Sequence, residues 1–283
     1  MSLIIEKVHH LYDPLHCFWE NKKTQRLVTA LLIGIFVSSL LLIELNRNSL
    51  LPQSLGQLIP TNPFYAVNLA FSLLLLTEVL SLIFILPCSV SKAVGKQFEI
   101  LALIFLRNAF KELVHFSEPI QLAGQMDAVL RIGAYGLGAL IIFVLLSFYY
   151  KQQFKREDTG SGPILFMFVG AKKMVALILF FLFVFLAVYN VSSFAGSHEK
   201  IDFFAEFYTI LVFSDVLLVL ISNSFFPFFK DIFRNSGFAI STLLMRLSLT
   251  APAYYDVLIG VGAAFFALFL AMAYKRSFVE KNW

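Results

Sequence analysis

Six ionisable residues in or beside the apolar stretches of this chain stand out as candidates for chemistry. They are Glu78, Arg107 and Asp127 in the first half, and Asp215, Arg246 and Asp256 in the second half. A single charge at the centre of a bilayer costs about 2.5–3.5 kcal/mol on insertion scales, so charged side chains there are usually paired. We therefore expect one acid–arginine pair inside each half, formed by Glu78 with Arg107 and by Asp215 with Arg246. Asp127 and Asp256 precede apolar runs, where a carboxylate stabilises the N-terminus of a helix.

The predicted pairs have two interpretations, and the sequence does not separate them. In the first, each pair only fixes the packing of neighbouring helices. In the second, the pairs line a water-accessible site that binds an ion, relays protons or senses voltage, which is the default hypothesis for charges inside a membrane. One arginine in each helix is too few for a voltage sensor that moves several charges, so that version is the weakest.

A second cluster of polar side chains precedes the first apolar run. It consists of His9, His10, Asp13, His16 and Cys17. These residue types can bind metals, but His9 and His16 are too far apart to form a simple pair on one face of a helix. The sequence favours an interfacial segment over residues 1–25, with Phe18 and Trp19 at the level of the lipid headgroups. No histidine pair lies within the apolar runs, and we expect no metal, haem or other cofactor.

The composition is that of an integral membrane protein. Of the 283 residues, 59% are hydrophobic and only 14% are charged, and the mean hydropathy is +0.81. A soluble domain carries roughly 25% charged residues. Cys17 and Cys88 lie far apart, which argues against a disulfide framework. No segment is long and polar enough for a soluble catalytic domain. The first apolar run has no small-residue cleavage site after it, so we expect it to remain as a span.

Apolar windows predict eight transmembrane helices. Their ranges are 27–45, 64–86, 98–116, 128–150, 164–189, 203–222, 236–250 and 252–274. A span needs roughly 20 residues to cross about 30 Å of hydrocarbon, so the seventh is short, and the third is amphipathic. With both termini in the cytoplasm, only Arg47 and Lys200 fall in segments on the opposite side, as the positive-inside rule requires. Removal of the third and seventh spans would distribute these charges over both sides, so the charge bias favours eight spans. The same bias explains the net charge of +4 without a nucleic-acid partner.

The two halves of the chain resemble each other. The segment Tyr135–Phe154 aligns without gaps on Ile259–Phe278, and both share a Gly-x-Gly-Ala start and a Tyr-Lys-x-x-Phe end. An even number of spans in each half gives both halves the same orientation. The prediction is therefore an all-α integral membrane protein made of two parallel four-helix units, residues 26–150 and 164–283, joined by a cytoplasmic linker at 151–163. This alignment places Ile132 opposite Asp256, so the equivalence of Asp127 and Asp256 stays open.

Small residues recur within the duplicated segments. Ala134 and Gly138 are four residues apart, as are Gly260 and Ala264. This spacing allows two helices to approach closely, and it does not match the G-x-G-x-x-G fingerprint of dinucleotide-binding folds. We expect these residues to serve helix packing.

Each half has the same order of charged residues, and this order resembles a known family. An acid lies in the second span, an arginine in the third and an aspartate at the start of the fourth, and a basic tail follows. The stretches that carry the resemblance are Leu244–Leu247, Tyr255–Leu258, Lys275 and Arg276 in the second unit, and Glu78, Arg107 and Asp127–Leu130 in the first. They are similar to the phosphate-starvation-inducible PsiE family of small bacterial four-helix membrane proteins. The resemblance implies the fold and a bacterial inner-membrane location, and it implies no biochemical activity.

Two functions from different classes follow from these observations. The first is permeation or sensing of a small ion or solute, because charged pairs are duplicated in a chain without soluble domains. The second is a non-catalytic accessory or scaffold subunit, because broad apolar surfaces suit a membrane-protein partner or a homo-oligomer as well as the lipid bilayer. We do not expect an enzyme, since no Ser/His arrangement, paired catalytic aspartates or metal-ligand motif is present in the sequence.

Overall fold

The computed structural model describes residues 2–48, 52, 59–87, 90–113, 116, 125–152, 162–195 and 203–278, and every regular element within them is an α-helix. The helices are α1 (Ser2–Glu20), α2 (Lys22–Arg47), α3 (Phe64–Ile85), α4 (Val90–Glu112), α5 (Met126–Gln152), α6 (Gly162–Ala195), α7 (Phe203–Phe225), α8 (Phe229–Ser248) and α9 (Tyr255–Phe278). The predicted all-α class is confirmed for this part of the chain. Cys88, His115 and most of the predicted linker lie outside the described residues.

Six of these helices are long and apolar enough to cross a membrane. They are α2, α3, α5, α7, the Leu165–Asn190 part of α6 and the Tyr255–Arg276 part of α9. Each contains at least the roughly 20 residues that a bilayer requires. The protein is therefore a multi-pass helical membrane protein.

Helices α4 and α8 coincide with the predicted third and seventh spans but begin earlier. They start at Val90 and Phe229 and measure about 35 and 30 Å. Charged residues such as Lys92, Lys96 and Lys230 lie in their first turns, so a hydropathy window excludes these turns. Both helices lie at the centre of the bundle, where α4 contacts α3, α5, α8 and α9, and α8 contacts α4, α7 and α9. Polar residues of these helices, such as Gln97 and Arg246, are therefore buried, whereas Lys92 and Lys230 near their starts are exposed.

The helix contacts follow the same order in the two halves of the chain. In the first half α2 packs on α3, α3 on α4 and α4 on α5, and in the second half α6 packs on α7, α7 on α8 and α8 on α9. Across the halves, α5 contacts α9 and α4 contacts α8. Two of the corresponding pairs thus meet each other, and α3 also contacts α6 and α4 contacts α9. The end of the bundle that carries Lys92, Lys96, Lys230, Arg234 and Lys275 is called the basic end below.

Close packing of α9 against α5 and α4 depends on two of the predicted glycines, Gly138 at the contact with α5 and Gly260 at the contact with α4. A Cβ atom added to Gly138 would lie 2.6 Å from Val257 Cγ1, and one added to Gly260 would lie 2.8 Å from Phe105 Cζ. By contrast, Gly136 and Gly262 have no such neighbour within 4 Å. The predicted packing role is confirmed for Gly138 and Gly260, since no larger side chain fits there without a shift.

The segment predicted to lie at the interface forms α1, which packs against α3 and α6. The Tyr12 ring is 2% exposed, and its hydroxyl donates to the Phe84 carbonyl oxygen. Trp19 Nε1 donates to Ser81 Oγ at 3.0 Å, so this side chain faces α3. Phe18 is exposed on the other side of the helix. One face of α1 therefore packs against the bundle, and the other face is exposed.

Candidate functional site

The structure brings Asp215 and Arg246 together inside the second half of the chain. Arg246 Nη1 lies 2.8 Å from Asp215 Oδ2, and the Thr242 hydroxyl donates to the same oxygen at 2.7 Å. Arg246 is 4% exposed and Asp215 is 9% exposed. The two charges are thus buried against each other between α7 and α8.

The orientation of the side chains in the two helices explains this pair. Asp215 lies 10 residues before the end of α7, and Arg246 lies 17 residues after the start of α8. The two Cα positions therefore differ by about 10 Å along the bundle axis. Side chains of a helix lean toward its N-terminus, so in antiparallel neighbours these two lean toward each other. The long arginine side chain covers the rest of the distance.

The guanidinium of Arg246 has N–H donors that make no hydrogen bond to the described residues. Within the described part of the chain, its Nε, Nη1 and Nη2 atoms are buried and make no hydrogen bond, although Nη1 is in the ion pair with Asp215. A buried donor without an acceptor costs about 1–3 kcal/mol, and more when it is charged. The site can therefore accept a further oxygen-bearing or anionic group.

Glu78 forms a different pair from the predicted one. Its carboxylate makes an ion pair with Lys96, and Lys96 also lies 2.7 Å from Glu99 Oε2. The Tyr150 hydroxyl donates to Glu99 at 2.7 Å. These side chains lie near the basic end and are partly exposed. The predicted pairing of Glu78 with Arg107 is wrong.

The reason is the early start of α4. Glu78 lies seven residues before the end of α3, and Lys96 lies six residues after the start of α4, so both are about 10 Å from the connection between the helices. Arg107 lies about 25 Å from it, close to the other end of α4. A prediction that begins α4 at residue 98 places Arg107 near the middle of the span and brings it within apparent reach of Glu78.

Arg107 contacts the other half of the chain. Its guanidinium lies 5.6 Å from the centre of the Phe204 ring in α7, a distance at which a cation is attracted to the ring. Arg107 and Arg246 each lie 17 residues after the first residue of their helix, Val90 and Phe229. The two arginines thus hold corresponding positions in their helices. Their ion pairing differs, because Asp215 pairs with Arg246 whereas Glu78 pairs with Lys96, closer to the basic end.

Asp127 and Asp256 are the second residues of α5 and α9, but their surroundings differ. Asp127 has an exposed side chain that lies 2.8 Å from Arg131 Nη2. Asp256 is 4% exposed, accepts a hydrogen bond of 2.7 Å from the Val257 amide and lies beside Tyr135. The first carboxylate is on the surface and the second is part of the core.

A polar face on α8 is the feature that the sequence analysis did not identify. It consists of Asp231, Asn235, Thr242 and Arg246, all buried and spaced by four, seven and four residues. Such spacing places side chains on one face of a helix, so the pattern was visible in the sequence. A cavity of about 30 Å³ lies along this face and is lined by Asp215, Asn235 and Thr242 among others.

His9 contacts α6 and contributes to the docking of α1. Lys173 Nζ lies 2.8 Å from His9 Nδ1 and 2.5 Å from Asp13 Oδ1. The His9 ring also stacks on Phe166, with 4.6 Å between the ring centres. Among the residues that the structure describes, no group of three or more His, Cys, Asp or Glu side chains is arranged to hold a metal ion.

Comparison of the chain with models of protein families, with curated proteins and with solved structures finds no match.

Proposed function

We propose that this multi-pass membrane protein moves or senses a small ion, and that the Asp215–Arg246 pair is its central site. The observation that carries the proposal is the combination of a buried ion pair, spare donors on Arg246 and an adjacent cavity of about 30 Å³. Charged residues inside a membrane protein usually face the bundle interior and mark paths for ions or protons.

A purely structural pair would be arranged differently. Buried ion pairs contribute little net stability, because desolvation offsets most of the attraction between the charges. A pair that only fixed helix packing would gain from a complete set of hydrogen bonds and from close apolar packing. The pair here has neither, since the Arg246 donors lack acceptors among the described residues and a cavity adjoins Asp215.

The wider architecture is part of the same proposal. Eight spans in two parallel four-helix units, with both termini in the cytoplasm, agree with the lengths of α4 and α8 and with the matching order of helix contacts. The basic end then faces the cytoplasm, as the positive-inside rule predicts. On this view the chain is a tandem PsiE-like protein of a bacterial inner membrane.

Ion flux in proteoliposomes tests the proposal. The full chain is compared with Asp215→Asn, with the double variant Asp215→Leu/Arg246→Met and with Glu78→Gln as a control from the partly exposed pair. We expect loss of flux in the first two variants and retained flux in the control. Absence of flux from the unsubstituted chain under imposed gradients of protons, alkali cations and halides would refute the permeation version.

A second candidate function is that of an accessory subunit, and α2 favours it. Among the described helices its main contacts are with α1 and α3, and Ala30, Gly34 and Ser38 lie four residues apart on its exposed side. Among the described residues, apart from the α2 backbone and the two chain neighbours of Gly34, no atom lies within 4 Å of a Cβ atom placed on Gly34. Small residues at this spacing allow another transmembrane helix to approach closely.

Purification in mild detergent followed by mass spectrometry tests this second function. We expect a stoichiometric partner that is lost in Gly34→Leu and kept in Ile35→Leu, a control on the same helix. A chain that purifies alone, at the same oligomeric state in both variants, would count against a subunit role.

A further inference from the structure

Buried polar groups continue from Asp215 toward the basic end. Asn235 Nδ2 donates to Ser222 Oγ at 2.6 Å, and both residues are buried between α7 and α8. Nearer the end, Asp231 in the first turn of α8 is also buried, and its carboxylate lies 3.5 Å from Arg234 Nη2. Polar groups therefore line the contact of the two helices from the first turn of α8 to Asn235.

The cavity lies between Asn235 and the ion pair. Asn235 and Thr242 are seven residues apart, which is about 10 Å along α8. The cavity of about 30 Å³ is lined by both residues and by Asp215. A cavity needs roughly 10–15 Å³ and two to four polar partners to hold a water molecule. Three polar side chains and sufficient volume are present, so a water molecule here would connect Asn235 with Asp215.

The other walls of the cavity are apolar. Helices α3 and α4 contribute Leu86, Val90 and Val94, so Arg246 is the charged group that faces Asp215. On the far side of Asp215 from the basic end, α7 presents Leu211 and Phe207, which are buried and apolar. The described polar groups thus reach Asp215 from the basic end, and beyond Asp215 the described buried residues of α7 become apolar.

We propose that water in this cavity completes a proton path from the basic end, past Asn235 and Ser222, to the carboxylate of Asp215. A hydronium ion at the basic end gives up one proton and becomes water, and the proton forms an O–H bond with an Asp215 oxygen to give the neutral carboxyl group. Release reverses both changes and returns the proton to water by the same route. This inference rests on the proposed function and names its ion. Protonation removes the charge that Arg246 faces, which couples proton binding to the contact between α7 and α8.

Infrared difference spectroscopy on the full chain in liposomes tests the path without an assay of flux. A change of pH on the side of the basic end is expected to produce the carbonyl-stretch band of a protonated carboxyl group, shifted in D₂O. The band should be absent from Asp215→Asn and present in Glu78→Gln. A band of unchanged intensity in Asp215→Asn would overturn the inference.

Variants of the cavity test the route itself. Ala239→Leu fills the cavity from α8, and Ile240→Leu is the control, because Ile240 is exposed on the opposite side of the same helix. Val94→Leu fills the same cavity from α4 and replaces Ala239→Leu if that variant does not fold. After a pH jump, the band should appear more slowly in the filled variants than in the control. Equal rates in all of them would overturn the route.

The proposed ion function and the proposed proton path can be refuted independently of each other. If flux of an ion depends on Asp215 but no carboxyl band appears, the proposed function stands and the proton path is wrong. If the band appears and depends on Asp215 while no ion crosses the membrane, the path stands and permeation is wrong.

Discussion

Arg246 Nη1 lies 2.8 Å from Asp215 Oδ2, and both side chains are buried between α7 and α8. Removal of one partner of such a pair is expected to destabilise the fold more than removal of both partners. Removal of one partner leaves an uncompensated charge in a low-dielectric interior, whereas removal of both leaves an apolar contact. This asymmetry allows the pair to be tested apart from any transport activity.

Single substitutions at the pair should be much more harmful than the double substitution. We expect Asp215→Leu or Arg246→Met to lower the free energy of unfolding by about 3–5 kcal/mol, and the double variant to recover most of that loss. Unfolding in detergent with a double-mutant cycle measures the coupling. Additive effects of the two substitutions would show that the residues do not interact in the folded protein.

A double-mutant cycle can also identify the residue that pairs with Glu78. Glu78→Gln should couple energetically with Lys96→Met, by up to about 1 kcal/mol because the pair is partly exposed. Coupling with Arg107→Met should be absent, since that guanidinium lies over Phe204. Thermal stability of the single and double variants provides the two cycles. A larger coupling to Arg107 than to Lys96 would favour the pairing expected from the sequence.

The contrast between these pairs shows what the sequence could predict. The apolar periodicity predicted the helices and the positions of Asp127 and Asp256 at helix starts, because hydropathy and charge report directly on the bilayer. The pairing of acids with bases depends on helix register. Hydropathy windows excluded the first turns of α4, which carry Lys92 and Lys96, and this error hid the true partner of Glu78.

The candidate site was predictable only in part. The polar face of α8 has a spacing that is visible in the sequence, from Asp231 to Arg246. The cavity beside it was not predictable, because its walls include Leu86, Val90 and Val94 from the other half of the chain. Such a void depends on how side chains from distant segments fill space, and no local pattern encodes it.

The contact between α5 and α9 should tolerate no added side chain at Gly138. A Cβ atom there would lie 2.6 Å from Val257 Cγ1, so Gly138→Leu is expected to cost about 1–3 kcal/mol through overpacking. The matched control is Gly136→Leu, two residues away on an open side of α5. Thermal unfolding in detergent compares them. Equal melting temperatures would mean that the two helices do not approach closely at Gly138.

Docking of α1 should depend on Tyr12. The ring is 2% exposed, so Tyr12→Ala is expected to lose about 3–5 kcal/mol of packing and to release α1 from α3 and α6. Limited proteolysis should then cut within α1 faster, while the fragment that contains α2–α9 stays intact. The control is Leu11→Ala, which alters the exposed neighbour. Equal cleavage rates in both variants would argue against a docked helix.

The eight-span arrangement requires the two ends of α4 to lie on opposite sides of the membrane. This helix is about 35 Å long, which is sufficient to cross about 30 Å of hydrocarbon, and its charged residues are tolerated because neighbouring helices surround it. In a background with Cys17→Ser and Cys88→Ser, single cysteines replace Lys92 near the start of α4 and Lys111 near its end. An impermeant maleimide added to sealed right-side-out vesicles should label Lys111→Cys and leave Lys92→Cys unlabelled until the vesicles are opened. Labelling of both cysteines from the same side would place α4 along one surface and reduce the number of spans.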